Sequence, residues 1–207
     1  MDPLIRFLRA NTWARHVLSG LSVLLLCAAV AMLGYPVFTN YRHDRIQGTL
    51  HREIASPQLK QAYQQRSLQD GDALTRIQIP AIGVDTVVVE GTSASALRAG
   101  AGHYPGTPLP CEAGNVGIAG HRTTYGKPFN QLDRLKNGDV IILTTPIGTC
   151  TYEVSTEPFV VTPDDFSVVA NDPSVHMLTL TTCHPKGSAA KRLVVKATLT
   201  KGAATEA

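Results

Sequence analysis

Three residues have the types that nucleophilic chemistry requires. Cys183 closes the run Met177 to Thr182 (Met-Leu-Thr-Leu-Thr-Thr) and is followed by His184-Pro185. A strand end is where a rigid scaffold can present a reactive side chain, and Pro185 cannot extend a ladder. His121 likewise closes an apolar run, Gly117-Ile118-Ala119-Gly120, ahead of the basic, hydroxyl-rich turn Arg122-Thr123-Thr124-Tyr125-Gly126. A cysteine and a histidine distant in sequence but close in the fold are what nucleophilic thiol chemistry needs. Arg192 opens the run Arg192 to Ala197, nine residues after Cys183. A hairpin-like excursion through Lys186-Gly187-Ser188 would set the two runs side by side, where a permanent cation favours the thiolate and later an oxyanion. Taken singly, a buried structural thiol, a solvated histidine and a strand-edge arginine are the plain alternatives.

Other polar residues fit such a site less well. His184 adjoins Cys183, and neighbouring strand residues point to opposite faces, so it is read as flanking. Glu112, Asp164, Asp165 and Asp172 could form an acidic calcium pocket, but their spacing gives no sign of converging oxygens. Neither a C-x-x-C nor an H-x-x-x-H pairing supports zinc. No metal and no cofactor are expected.

Short runs rich in Val, Ile and Thr, bounded by Gly, Pro, Asn and Asp, must position these residues. They are Thr75 to Ile79, Val84 to Glu90, Asn115 to Ala119, Val140 to Thr144, Thr151 to Val154, Met177 to Thr182 and Leu193 to Leu199. Seven or eight short strands with turn signals between them predict a mainly β closed barrel or sandwich. Ser93 to Gly100 reads as a short helix with a serine cap, and Phe129 to Leu135 as another.

The N-terminus has a different character. Val17 to Phe38 contains no Asp, Glu, Lys or Arg, and as a helix it would cover roughly 33 Å, enough to span a bilayer. Arg6, Arg9 and Arg15 precede it, which predicts a cytoplasmic N-terminus and an extracellular main body. A cleaved signal peptide ending near Ala29-Val30-Ala31 is the rival, weakened by the apolar residues that continue past it. Leu26 stands where a lipid-attachment signal at Cys27 would need a small residue. The expected organisation is a cytoplasmic segment 1–16, a transmembrane anchor 17–38, a polar, Gln-rich segment 39–72 that is a partly helical stalk or a flexible linker, a catalytic domain 73–201 and a tail 202–207. With 17% charged residues and a net charge of +3, no basic run marks a nucleic-acid footprint. In an extracellular domain unpaired thiols are disfavoured. Cys111 and Cys150 are the pair that could bridge without disabling Cys183, with both free as the alternative.

Together the blocks AGHRTTYGKPFNQLDRL around His121 and TLTTCHPKGSAAKRLVV from Thr179 to Val195 resemble the two signature blocks of the sortases. The YPGT of Tyr104 to Thr107 and RIQIPAIGV of Arg76 to Val84 also fit, so the resemblance covers nearly all of residues 73–200. TTCHPK and RLVV are most similar to the class E sortases of high-GC Gram-positive bacteria. The resemblance implies an eight-stranded sortase-type β-barrel with short helices, preceded by one transmembrane helix. It also implies a catalytic trio of His121, Cys183 and Arg192, with a backbone N–H near Thr182 as a further oxyanion contact. The implied reaction is transpeptidation. Cys183 attacks the Thr carbonyl of a C-terminal Leu-Pro-x-Thr-Gly-like sorting signal, here Leu-Ala-x-Thr-Gly, and the thioester passes to an amine of a cell-wall precursor or another protein. An extracellular cysteine hydrolase or protease, and a non-catalytic membrane-anchored binding domain, are the alternatives.

Overall fold

The computed structural model describes residues 10–202, the side chains of residues 36 and 37 excepted. Arg6 and Arg9 of the expected cytoplasmic segment, and residues 203–207 of the tail, lie outside the described residues. The chain divides into two compact units, residues 1–39 and 40–207. The first contributes most of the apolar part of helix α1, Thr12–Glu53. This helix is long and apolar enough to cross a membrane by length and composition.

The second unit is built on nine strands among the described residues: β1 Ala73–Ile79, β2 Val84–Glu90, β3 Ala101–His103, β4 Gly114–Ala119, β5 Val140–Thr145, β6 Gly148–Val154, β7 Phe159–Val161, β8 His176–His184 and β9 Lys191–Lys201. Eight of them close a ring. The order β6-β5-β1-β2-β3-β4-β8-β9 returns to β6 because Val154 pairs with Ala197 and Tyr152 with Leu199. The short β7 lies outside this ring and pairs with the first half of β9, Phe159 opposite Val194. Closure leaves no long unpaired edge. The β2–β3 and β4–β8 pairings are parallel and the others antiparallel.

Side-chain alternation decides what lies inside. Leu178 and Leu180 of β8 enter the barrel core with Ile77, Val88, Ile118, Leu143, Tyr152, Leu193 and Val195. β2 is covered on both faces, since Val88 joins this core while Val87 and Val89 join a second apolar cluster with Leu50, Leu59 and Ala96. This explains why its sequence, Val-Asp-Thr-Val-Val-Val-Glu, reads as a nearly continuous β-branched run. Cys111 and Cys150 are joined by a disulfide, their Cα atoms 5.6 Å apart.

Two strands escape the sequence pattern. β3 is only Ala-Gly-His, residues of low strand preference, and exists because it pairs with Val88 to Glu90. β7 is likewise three residues long. The predicted helix at Phe129 to Leu135 shrinks to a 3-10 turn, Leu132–Arg134. At Ser93 the expected cap is present: its hydroxyl accepts from Ala96 N at the start of α3, Ala94–Ala99.

The segment 39–72, expected as a partly helical stalk or a flexible linker, is largely helical, and from residue 40 it belongs to the same compact unit as the barrel. Ile46 and Leu50 at the end of α1, and Ile54 just past it, recur every four residues, and Leu50 is buried. Helix α2, Pro57–Gln64, buries Leu59 and Tyr63. The intervening Gln and Arg residues hid this narrow stripe. Gln47 fastens the segment. Its amide donates to the carbonyls of Val87 and Ala99 and accepts from Val87 N and the Thr86 hydroxyl, which satisfies all four of its hydrogen-bonding positions in a buried setting.

Candidate active site

The parallel pairing of β4 and β8 sets the site. Ala119 is the partner of Thr181, so the two chains leave the barrel at the same end, with His121 two residues beyond one partner and Cys183 two residues beyond the other. The link continues past the strands: Gly120 N donates to Thr181 O at 3.0 Å, and the Thr182 hydroxyl donates to Gly120 O at 2.7 Å. Alternation turns Leu178, Leu180 and Thr182 one way and Thr179, Thr181 and Cys183 the other. Cys183 is half-buried, and Cys27 is the other free cysteine among the described residues.

Arg192 is the register partner of Cys183 across the antiparallel β8–β9 pair. Its Nη1 donates to the carbonyls of Ala189 and Lys191, at 3.0 and 3.1 Å, so the guanidinium folds back on the turn that joins the strands. The Thr182 side chain is committed to Gly120, which leaves only its backbone for any oxyanion contact.

His121 stands just beyond β4 and its ring lies 5.0 Å from that of Tyr125, centroid to centroid, at a tilt of 43°. Phe129 N donates to His121 O at 3.1 Å and closes the loop. Gly120 is required there, because a side-chain carbon at that position would lie 2.5 Å from the Phe129 ring. Burial, and secondarily the charge of His43, push His121 below the ordinary histidine range. Burial pushes His43 down as well, against a hydrogen bond to the Arg98 backbone and the charge of Asp44. His43 reaches this loop from α1. Its ring fills the space beside Gly126, whose φ of +71° suits glycine, while Asn40 Oδ1 accepts from Gly126 N. Sequence reading missed His43, which lies in the segment taken for a stalk.

An outer apolar cluster of Val168, Val169 and Val194, joined by Tyr104, Phe159 and Val161, borders the site. Tyr104 and Thr181 bond through their hydroxyls at 2.9 Å, and Thr181 and Val194 are register partners, one alternation step from Cys183 and Arg192. A cavity of about 440 Å³ between the end of α1, the start of β2 and residues 126–131 does not include Cys183.

His184 and the acidic residues are engaged elsewhere. His184 Nδ1 lies 2.8 Å from Arg122 Nη1. Glu112 pairs with Arg66 at 2.7 Å, while Asp165 and Asp172 accept from Ser167 and Ser174 two residues on. No group of three or more His, Cys, Asp or Glu suited to a metal ion occurs among the described residues.

A closed β-barrel that brings a cysteine, a histidine and an arginine together at the ends of adjoining strands defines a class of thiol-nucleophile enzyme. The sortase domain family matches residues 77–200, and the chain belongs to that family of cysteine transpeptidases. It is 35% identical to sortase D of Bacillus subtilis over 130 residues, 61% of this chain and 64% of that one. To sortase SrtE1 of Streptomyces coelicolor it is 32% identical over 143 residues, 62% and 41% of the two chains. The chain thus spans less than two thirds of the length of these relatives. Among solved structures, a sortase D5 transpeptidase of Clostridium perfringens superposes with a TM-score of 0.67 at 31% identity, covering 77% of this chain and 98% of that one. Sortase E of Streptomyces avermitilis gives 0.58 at 35% identity, covering 64% and 91%. Relatives of both the D and E kinds are therefore similar to this chain.

Proposed function

We propose that this protein is a membrane-anchored transpeptidase that cleaves a C-terminal sorting signal after Thr and transfers the acyl group to an amine. The observation that carries the reading is the parallel Ala119–Thr181 pairing, which delivers His121 and Cys183 to the same end of the barrel beside Arg192.

Cys183 Sγ attacks the Thr carbonyl, and the Arg192 guanidinium, with a backbone N–H near Thr182, stabilises the oxyanion. As the C–N bond breaks and the thioester forms, His121 gives its proton to the departing amine. An incoming amine then attacks the thioester, His121 takes a proton from it, and the C–S bond breaks to restore the Cys183 thiolate. The signal is of the Leu-Ala-x-Thr-Gly or Leu-Pro-x-Thr-Gly kind. The acceptor is an amine of a cell-wall precursor or another protein. Residues 17–38 anchor the chain once in the cell membrane with the barrel outside, so the reaction attaches proteins to the cell wall or to each other.

The test is mass spectrometry of the chain incubated with a Leu-Ala-x-Thr-Gly peptide, with and without hydroxylamine. Cleavage between Thr and Gly, with more hydroxamate than acid when the amine is present, is the expected result. Acid alone at every amine concentration would make the protein a hydrolase. Protease added to intact cells should digest the barrel, and digestion only after permeabilisation would reverse the orientation.

A further inference from the structure

Arg122 follows His121, yet its side chain is only 3% exposed. A buried guanidinium is costly unless its donors are used. Nη1 and Nη2 of this one serve the segments that build the site, and Nε is left without a partner. Nη1 donates to the Cys183 carbonyl at 3.3 Å and to His184 Nδ1 at 2.8 Å. Nη2 pairs with Asp133 of the 3-10 turn at 3.1 Å. The Arg122 carbonyl accepts from Asn130 Nδ2 at 2.8 Å, and Lys186 from the β8–β9 turn approaches Asn130 Oδ1 at 3.4 Å. One side chain therefore joins the loop that carries His121, the strand end that carries Cys183 and the turn at residues 132–134.

We propose that Arg122 is a positioning residue for the transpeptidation reaction, holding the Cys183 strand end against the His121 loop and binding the His184 ring, so that His121 alone serves the thiol. The proposal rests on the functional reading above and deepens it. Because an arginine N–H can only donate, His184 Nδ1 must accept, which places its proton on Nε2 and ties the ring to Arg122. The planar fork matters: Nη1 and Nη2 serve partners on different segments at once, which an ammonium on a flexible stem does not reproduce. Displacement of a reacting group by about 1 Å can cost on the order of 10²-fold in rate.

The full-length chain in detergent micelles provides the test. Arg122→Met and Arg122→Lys are expected to lower kcat on the sorting-signal peptide by about 10²-fold and about tenfold, respectively. KM should stay within about threefold, because no substrate contact is removed. Cys183 should still react with iodoacetamide at near the wild-type rate. Asp133→Asn, at an exposed carboxylate, frees only Nη2 and should cost about threefold to tenfold in kcat, so it carries the test if the Arg122 variants do not fold. Kinetics of these folded variants with kcat within twofold of wild type would overturn the proposal, as would a rise in KM matching the loss in kcat. A second readout is independent of turnover: histidine ¹⁵N spectra should show His184 as the Nε2–H tautomer in the wild type and a mixture in Arg122→Met. A wild-type protein that fails to cleave any sorting peptide would defeat the functional reading alone. The His184 spectra would still decide whether Arg122 holds that ring, and an unchanged tautomer in Arg122→Met would overturn the positioning role.

Discussion

Cys183 and Arg192 are register partners on neighbouring antiparallel strands, so the ladder sets the two backbones opposite each other, while the guanidinium itself bonds to the Ala189 and Lys191 carbonyls of the connecting turn. Arg192→Lys should therefore place a charge in the same region but without a planar fork for two oxygens. It should be nearly as damaging as Arg192→Ala, both losing about 10²- to 10³-fold in kcat/KM. Near-wild-type turnover of the Lys variant would mean that a point charge suffices.

Removing Cys183 removes the thioester, so Cys183→Ala should release neither acid nor ligated product. His121→Ala should lose about 10²- to 10⁴-fold in turnover while leaving a thiol that still alkylates. Mass spectrometry of the products and of the iodoacetamide adduct reads both. Acid released by Cys183→Ala at the wild-type rate would overturn the covalent mechanism.

The Cys111–Cys150 bridge closes a loop of 39 residues. The chain-entropy account assigns such a loop about 4 kcal/mol of stability. Reduction, or a Cys111→Ser/Cys150→Ser double substitution, should lower the melting temperature accordingly. Thiol counting on the folded chain from residue 40 should find one reactive group, Cys183; three would show that no bridge forms.

Docking of the end of α1 predicts that a barrel begun at residue 73 is weaker than one begun at residue 40. The shorter chain lacks Leu50, Leu59, Tyr63 and the four hydrogen bonds of Gln47. Gln47→Ala alone leaves the buried Val87 backbone groups unpaired and should cost roughly 2 to 4 kcal/mol. Equal denaturant midpoints for the two chains would show that the segment only tethers.

Acid should weaken the fold around His121. His121 and His43 are both depressed in the folded state, chiefly by burial, so the unfolded chain binds more protons as the pH falls below about 6.5. Their neutral forms therefore contribute stability that is complete above the unfolded value and lost as the pH falls toward the folded ones. The melting temperature should drop between pH 7 and pH 5, and His43→Gln should remove part of that drop. In the same variant the His121 midpoint, followed by NMR, should move up, because a repelling cation is gone. A downward movement would show that His43 acts on His121 by some route other than charge.

The sequence by itself singled out the candidate chemistry-bearing residues and most strands. Cys183, His121 and Arg192 stand at the ends of short strand-like runs bounded by turn residues, and period-two alternation already separates Cys183 from His184. Spacing anticipated the β8–β9 pair, but neither local propensity nor spacing could set which strands distant in the chain pair. The parallel neighbours β4 and β8 are far apart in the chain, Ala119 being the partner of Thr181, and only their pairing brings His121 and Cys183 to the same end of the barrel. The three-residue strand β3, Ala-Gly-His, owes its existence to its partners, not to composition. The segment after the apolar helix read as a stalk because polar residues interrupt its narrow stripe. Tertiary structure showed that Leu50 and Gln47 are buried there, where a glutamine is acceptable only because the edge of β2 and the end of α3 satisfy its amide. Arg122 looked like one more charge in a basic turn. Its burial, and with it its hold on both Cys183 and His184, exists only once three distant segments converge on its guanidinium.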